Sequence, residues 1–178
     1  MSGTAPGPRP EAGDRIAGLL LGAALVAMGL ITGMFYAFDV SVMPGLADVD
    51  DRTFVDSMQR INEATLNPVF YLSFMGASLV TPVAAVLEWR AGRRGAAIWV
   101  IAALACYGIA FVVTMAINVP LNEELVDAGD PATIADLAGV RDDFEGPWVA
   151  WNIVRTVAST VALACLGRAL VLHGRIRG

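Results

Sequence analysis

Four long apolar runs organise the chain, over about residues 16–38, 68–87, 96–117 and 148–172. The first three hold no charged residue, and the fourth is interrupted only by Arg155 and Arg168. Each is close to the roughly 20 residues that a helix needs to cross about 30 Å of hydrocarbon. A helix buried in a soluble domain would keep a polar face along such a length. The pattern predicts an all-α protein, a four-helix transmembrane bundle over residues 16–172. Residues 1–15 are expected as a disordered tail and 173–178 as a second short tail. The first run exceeds the roughly 7–15 apolar residues of a signal peptide, and acids stand beside the arginines before it, so a retained span is expected.

Between the spans the period changes. Asp51 to Leu66 places Phe54, Met58, Ile61 and Thr65 on one helical face. Residues 132–145 place Ile134, Leu137, Val140 and Phe144 about one turn apart. Both predict short amphipathic helices on the membrane surface, acting as a lid or as interfacial packing. Pro120 is expected to stop the third span, and Pro82 to kink the second. Gly18, Gly22, Gly29 and Gly33 share one face of the first span, where small residues let a helix approach closely. The expected partner is a helix of the same bundle, with a homo-oligomer through these glycines as the alternative.

Composition narrows the function classes. Residues AVILMFWYC make up 56% and charged residues 16%, against about 25% in soluble domains. The net charge of -5 lacks the basic footprint that nucleic acid requires, so no nucleic-acid partner is expected. Cys106 and Cys165 are isolated and form no CxxC or zinc spacing, so they are expected as packing residues. His173 is the one histidine, expected in solvated tail at the membrane interface. Without a His pair, haem bis-ligation and the common non-haem iron site are not expected. No metal site and no cofactor are specified.

The arginines orient the bundle. Arg9 and Arg15, then Arg90, Arg93 and Arg94, then Arg168, Arg175 and Arg177 fall in three regions on one side. The two intervening loops hold Arg52, Arg60 and Arg141 among most of the acids. The positive-inside rule makes both termini cytoplasmic and those loops extracytoplasmic, in the cytoplasmic (inner) membrane. Trp89 and Trp99 then mark the inner interface, and Trp148 and Trp151 the outer one.

Polar residues at membrane depth are costly and point to sites. Trp148, Asn152, Arg155 and Ser159 follow steps of four, three and four, and so share a face. Arg155 keeps its charge at any relevant pH and must meet the bundle interior, a water pocket or the surface. Pairing with Asp39 is one structural explanation. Tyr107, Phe111, Thr114 and Asn118 repeat the same steps on the third span. Asn67, Tyr71 and Ser78 lie along the second, and Thr32, Phe35, Tyr36 and Asp39 close the first. Turned inward, these faces make an outward-opening pocket with a fixed positive charge, amides and aromatics. That lining suits a flat aromatic ligand bearing phenol, carbonyl or enolate oxygens.

Several stretches together resemble a known family. They are Gly33-Met-Phe-Tyr-Ala-Phe38 leading to Val42-Met-Pro-Gly-Leu46, Met58-Gln-Arg-Ile-Asn62, Asn67-Pro-Val-Phe70, Asn118-Val-Pro-Leu-Asn122, and Trp148-Val-Ala-Trp-Asn-Ile-Val-Arg-Thr156. In these segments and their spacing the chain resembles the anthrone-oxygenase-like family of small four-helix membrane proteins, from about residue 16 to 172. The resemblance implies a reaction of the kind known for fungal members, which oxidise polyketide anthrones to anthraquinones with O2. It carries over Asn62, Asn67, Asn118, Asn122, Trp151, Asn152 and Arg155. With the residue reading, Arg155, Asn152 and Asn118 are the catalytic candidates. Tyr36, Asn62, Asn67, Tyr71, Asn122 and Trp151 are the substrate-binding candidates, and Asp39 and Glu63 the candidate bases. The alternatives are a non-enzymatic membrane protein binding a quinone, lipid or partner helix, and a transporter of aromatic compounds, which the lack of an internal repeat disfavours.

Overall fold

The computed structural model describes residues 12–175. It contains five helices: α1 (Ala12–Ala47), α2 (Asp51–Thr65), α3 (Pro68–Arg90), α4 (Arg94–Asp127) and α5 (Leu137–Arg175). No strand occurs among the described residues. All but α2 are long and apolar enough to cross a membrane, as a multi-pass membrane protein requires. Around the bundle α1 packs on α3 and α5, and α4 packs on the same two.

The core alternates large and small side chains. Leu21, Met28, Ile31, Phe35, Phe74, Tyr107 and Leu166 fill it, while Ala24, Ala77, Ala84, Ala103 and Ala162 let the helix axes approach. Outward faces are apolar too: Leu19, Leu72, Leu79, Ile98 and Val112 are exposed, as a lipid-facing surface requires.

Two helices pass through prolines by widening a turn. Pro120 does not stop the third span, because residues 114–118 form a π-helical turn and the helix runs on to Asp127. The Val119 N–H bonds the Thr114 carbonyl five residues back, and Met43 bonds Phe38 in the same way. Pro44 and Pro120 each follow directly. A proline ring clashes with the carbonyl four residues before it. The wider turn removes that clash, and π turns concentrate at functional sites. Pro82 lies within α3, which continues to Arg90.

The expected surface helix over 132–145 is instead largely part of α5, which begins at Leu137 and contains Pro147. Packing carries the helix across that proline. Phe144 stacks on Trp148 at 6.0 Å and meets Phe54 edge-on at 6.2 Å. Residues 12–15, expected in the tail, form the first turn of α1. The rest of that expected tail, residues 1–11, and residues 176–178 lie outside the described residues.

Each end of the bundle has a polar clasp. At one end Arg141 donates to the Leu46, Ala47 and Val49 carbonyls, capping the C-terminal end of α1, and its guanidinium lies 4.4 Å from the Phe54 ring centre. Gln59 ties α2 to α4 by donating to the Leu125 and Gly129 carbonyls. At the other end Glu88 is fully buried, accepts from Arg93 Nε at 2.7 Å and lies 2.7 Å from His173 Nδ1. Arg93 also pairs with Asp14, so the first turn of α1 and the last turns of α3 and α5 meet there. His173 is therefore buried, not solvated as expected: a carboxylate drawn into the core needs a partner beside it.

At Gly22 and Gly33 the glycine face has no close partner within the bundle. A Cβ built at Gly22 or Gly33 would meet nothing within 4 Å, and at Gly29 only Leu163 at 3.8 Å. The face of α1 that packs is instead Ala17, Leu21, Ala24, Met28, Ile31 and Phe35.

Candidate functional site

A cavity of about 1300 Å³ opens between α2 and the adjoining ends of the four long helices. Its floor is Arg155 on α5, with Phe35 and Phe38 of α1, Phe74 of α3, Thr114 of α4 and Trp148 of α5. Its upper walls come from the polar side of α2, including Gln59, Asn62 and Glu63, and from Asn122, Glu123 and Val126 of α4. The apolar side of α2, with Phe54, Val55 and Met58, is buried against the bundle. The amphipathic pattern of α2 thus turns its polar residues toward the cavity.

Arg155 is 5% exposed and held from several directions. Its guanidinium carbon lies 4.5 Å from the Phe35 ring centre and 5.2 Å from that of Trp148, a desolvated cation–π arrangement. Its Nη2 donates to Asn152 Oδ1 at 2.6 Å, and its Nε has no hydrogen-bond partner. Among the described residues it forms no ion pair. A buried cation without an ion-pair partner, in the wall of a cavity, is suited to receive an anion or a strongly polarised oxygen.

Behind it lies a fixed relay. Asn152 Nδ2 donates to Asp39 Oδ1 at 2.5 Å and to the Phe35 carbonyl at 2.9 Å. Thr156 Oγ1 donates to the second Asp39 oxygen at 2.5 Å. Trp148 Nε1 donates to Asn122 Oδ1 at 2.8 Å, and Asn118 Nδ2 reaches the Trp148 carbonyl at 3.3 Å. Asn118 Oδ1 and Asn62 Nδ2 are buried without partners. The two π turns supply Phe38 and Asp39 from α1, and Thr114, Met115 and Asn118 from α4.

The sequence candidates divide into three groups. Arg155, Asn62, Glu63, Tyr71 and Asn122 line the cavity. Asn152, Asn118 and Asp39 stand behind the lining. Asp39 does not line the cavity, and each of its oxygens accepts a hydrogen bond from α5. It pairs with Arg155 only through Asn152. Tyr36, Trp151 and Asn67 lie elsewhere. Tyr36 is 56% exposed, one residue past the inward-facing Phe35. Trp151 lies partly exposed beside the buried Asn152. Asn67 caps α3 by accepting from the Val69 and Phe70 N–H groups. Trp148 is no interface anchor but a buried wall of the site. Gln59, Glu123, Phe70, Met75 and Met115 line the cavity without having been candidates. The pairing of the polar side of α2 with a lipid-side face of α4 gave no sequence signal.

A search of curated proteins and one of solved structures each find no match. The sequence model of a family described as anthrone oxygenase matches residues 69–165, more than half the chain. The chain belongs to the anthrone oxygenase family. The region matched by the anthrone oxygenase model contains α4 and most of α3, and runs into α5 as far as Cys165. It includes Tyr71, Asn118, Asn122, Asn152 and Arg155. The wall from α1 and α2, with Phe35, Asp39, Asn62 and Glu63, lies outside it.

Proposed function

We propose that this member of the anthrone oxygenase family is a membrane oxygenase that needs no cofactor and oxidises a flat phenolic substrate with O2. The single observation that carries the reading is Arg155, a buried, stacked guanidinium without an ion-pair partner among the described residues, in the wall of a 1300 Å³ cavity. A cavity of that size holds a fused tricyclic ring system with room to spare.

An anthrone has an acidic methylene flanked by two aromatic rings. Removing one of its protons gives a carbanion delocalised onto the carbonyl oxygen. Arg155 would hold that oxyanion, with Asn152 fixing the guanidinium from behind. The anion gives one electron to O2, and the two radicals combine at the methylene carbon as a hydroperoxide. Loss of water then leaves the second carbonyl. One oxygen atom enters the product, the other leaves as water, and the substrate is oxidised by four electrons in all. Glu63 lines the cavity and is the candidate base; Asp39 acts instead as a positioning residue. Phe35, Phe38, Phe74 and Trp148 give the cavity an aromatic lining for a planar ligand. Asn62 and Asn122 supply hydrogen bonds to its peripheral oxygens.

The same reading places both termini in the cytoplasm, because the arginine-rich ends and the α3–α4 turn lie opposite the acidic loops. The cavity then opens on the outer side of the inner membrane.

The test is O2 uptake by purified protein supplied with a simple anthrone, with autoxidation subtracted. Wild type should accelerate uptake, and folded Arg155→Ala should lose about 100- to 1000-fold in turnover. Chelator treatment should leave the wild-type rate intact. A metal-dependent rate overturns the cofactor-free chemistry, and tight ligand binding without turnover supports a binding protein in place of an oxygenase.

A further inference from the structure

The cavity lining has two parts of opposite character, and they bear on the form in which a ligand arrives. Its aqueous mouth carries five carboxylates, on Asp56, Glu63, Glu123, Asp127 and Asp130. The one arginine there, Arg60, is already paired with Asp56 at 2.9 Å. Such a mouth repels anions over roughly a Debye length, about 8 Å at physiological salt.

The second part is apolar and lies along α3 and α4. Leu66, Tyr71, Met115 and Val126 line the cavity and are also 48 to 62% exposed. Leu72 and Val112 continue this surface as exposed apolar side chains. Met115 lies about 30 Å along α4 from Arg94 at ~1.5 Å per residue, which matches the edge of a hydrocarbon layer about 30 Å thick. Neutral amphipathic aromatic molecules concentrate at that depth, for the reason that tyrosine and tryptophan do.

Building on the reading above, we infer that the site takes its ligand as a neutral, membrane-dissolved aromatic phenol. The ligand enters laterally between Tyr71 and Met115, and the acidic mouth bars its water-soluble anions. The negative charge that Arg155 receives then arises only inside the cavity. Met115 is the gating side chain and a specificity determinant.

Stopped-flow quenching of tryptophan fluorescence in lipid nanodiscs tests this with two probes, a neutral dihydroxyanthracene and its sulfonated analogue. Wild type should bind the neutral probe and reject the sulfonate, and Arg155→Gln should lose the neutral probe. Met115→Trp should slow both association and dissociation by about tenfold, as a narrowed entrance does, and Met115→Ala should speed them. Asp127→Asn with Asp130→Asn should let the sulfonate associate. Failure of wild type to bind the neutral probe removes the reading of the site and this inference together. Binding that Arg155→Gln abolishes, but whose rates do not respond to either Met115 variant, overturns lateral entry alone. Sulfonate binding to wild type as fast as the neutral probe also overturns it.

Discussion

Asp39 reaches Arg155 only through Asn152, whose amide nitrogen donates to the carboxylate while its oxygen accepts from the guanidinium. The two charges are thereby coupled without touching, and the face of the guanidinium toward the cavity stays free of a competing anion. A direct ion pair would fill the position that a ligand oxygen needs.

That geometry predicts a difference between two Asp39 variants. Asp39→Ala strips the acceptor from Asn152 and Thr156, costing about 1–3 kcal/mol per buried donor left unpaired. Asp39→Asn keeps one acceptor, and the Thr156 hydroxyl turns to accept from the new amide. Thermal unfolding in detergent should show a large loss for Asp39→Ala and a smaller one for Asp39→Asn, with Asn retaining measurable ligand binding. Complete loss of turnover in a fully stable Asp39→Asn protein would make Asp39 a base and contradict its positioning role.

Trp148 combines two functions that substitution separates. Trp148→Phe keeps an aromatic face over Arg155 but loses the bond to Asn122 and part of the packed ring, about 1–2 kcal/mol. Trp148→Ala removes the ring packed against Phe38 and Phe144 as well, and should cost about 3–5 kcal/mol. Denaturant titration reads both. Ligand affinity should survive in Phe and collapse in Ala.

The opposite end of the bundle offers a stability test remote from the cavity. Glu88→Ala leaves Arg93 without its main partner and His173 beside an empty space, and should cost about 3–5 kcal/mol. Glu88→Gln should fall between it and wild type. Since Glu88 lies far from Arg155, the folded fraction should keep normal ligand affinity; a changed affinity would mean that the two ends communicate.

The start of α2 should respond to acid. Asp50 accepts from the side-chain hydroxyl and the backbone N–H of Thr53, which hold its carboxyl below the ordinary value of 3.8. A lowered folded-state value means that the cap stabilises the helix fully above the unfolded value and is lost as pH falls through the folded one. Hydrogen exchange at residues 53–56 should therefore quicken in Asp50→Ala near neutral pH. Wild type and variant should converge at pH well below 3.8.

The spans were legible because some twenty apolar residues have few other uses. Arg155 was legible because a charge inside such a run has to be explained. Its face also held: Trp148, Asn152, Arg155 and Ser159 are all buried. Periodicity failed where one residue decides the side. Tyr36 follows Phe35 by a single step of about 100° and faces out. The Glu88–His173 contact joins residues 85 apart, and nothing local to either announces the other. A helical period gives the direction in which a side chain points, and only the assembled bundle supplies what stands opposite.

The π turns at 38–42 and 114–118 each add a residue to the local winding. Deleting one residue from the second would still leave an apolar helix of spanning length, indistinguishable by hydropathy from the original. Everything beyond it would be rotated by about 100°. Asn122 would leave Trp148, and Gln59 would lose its two carbonyl acceptors on α4 and the segment after it. The chain would insert as before, with the α4 wall of the cavity turned away. In this protein, length at these two turns is thus as much a part of the site as any side chain.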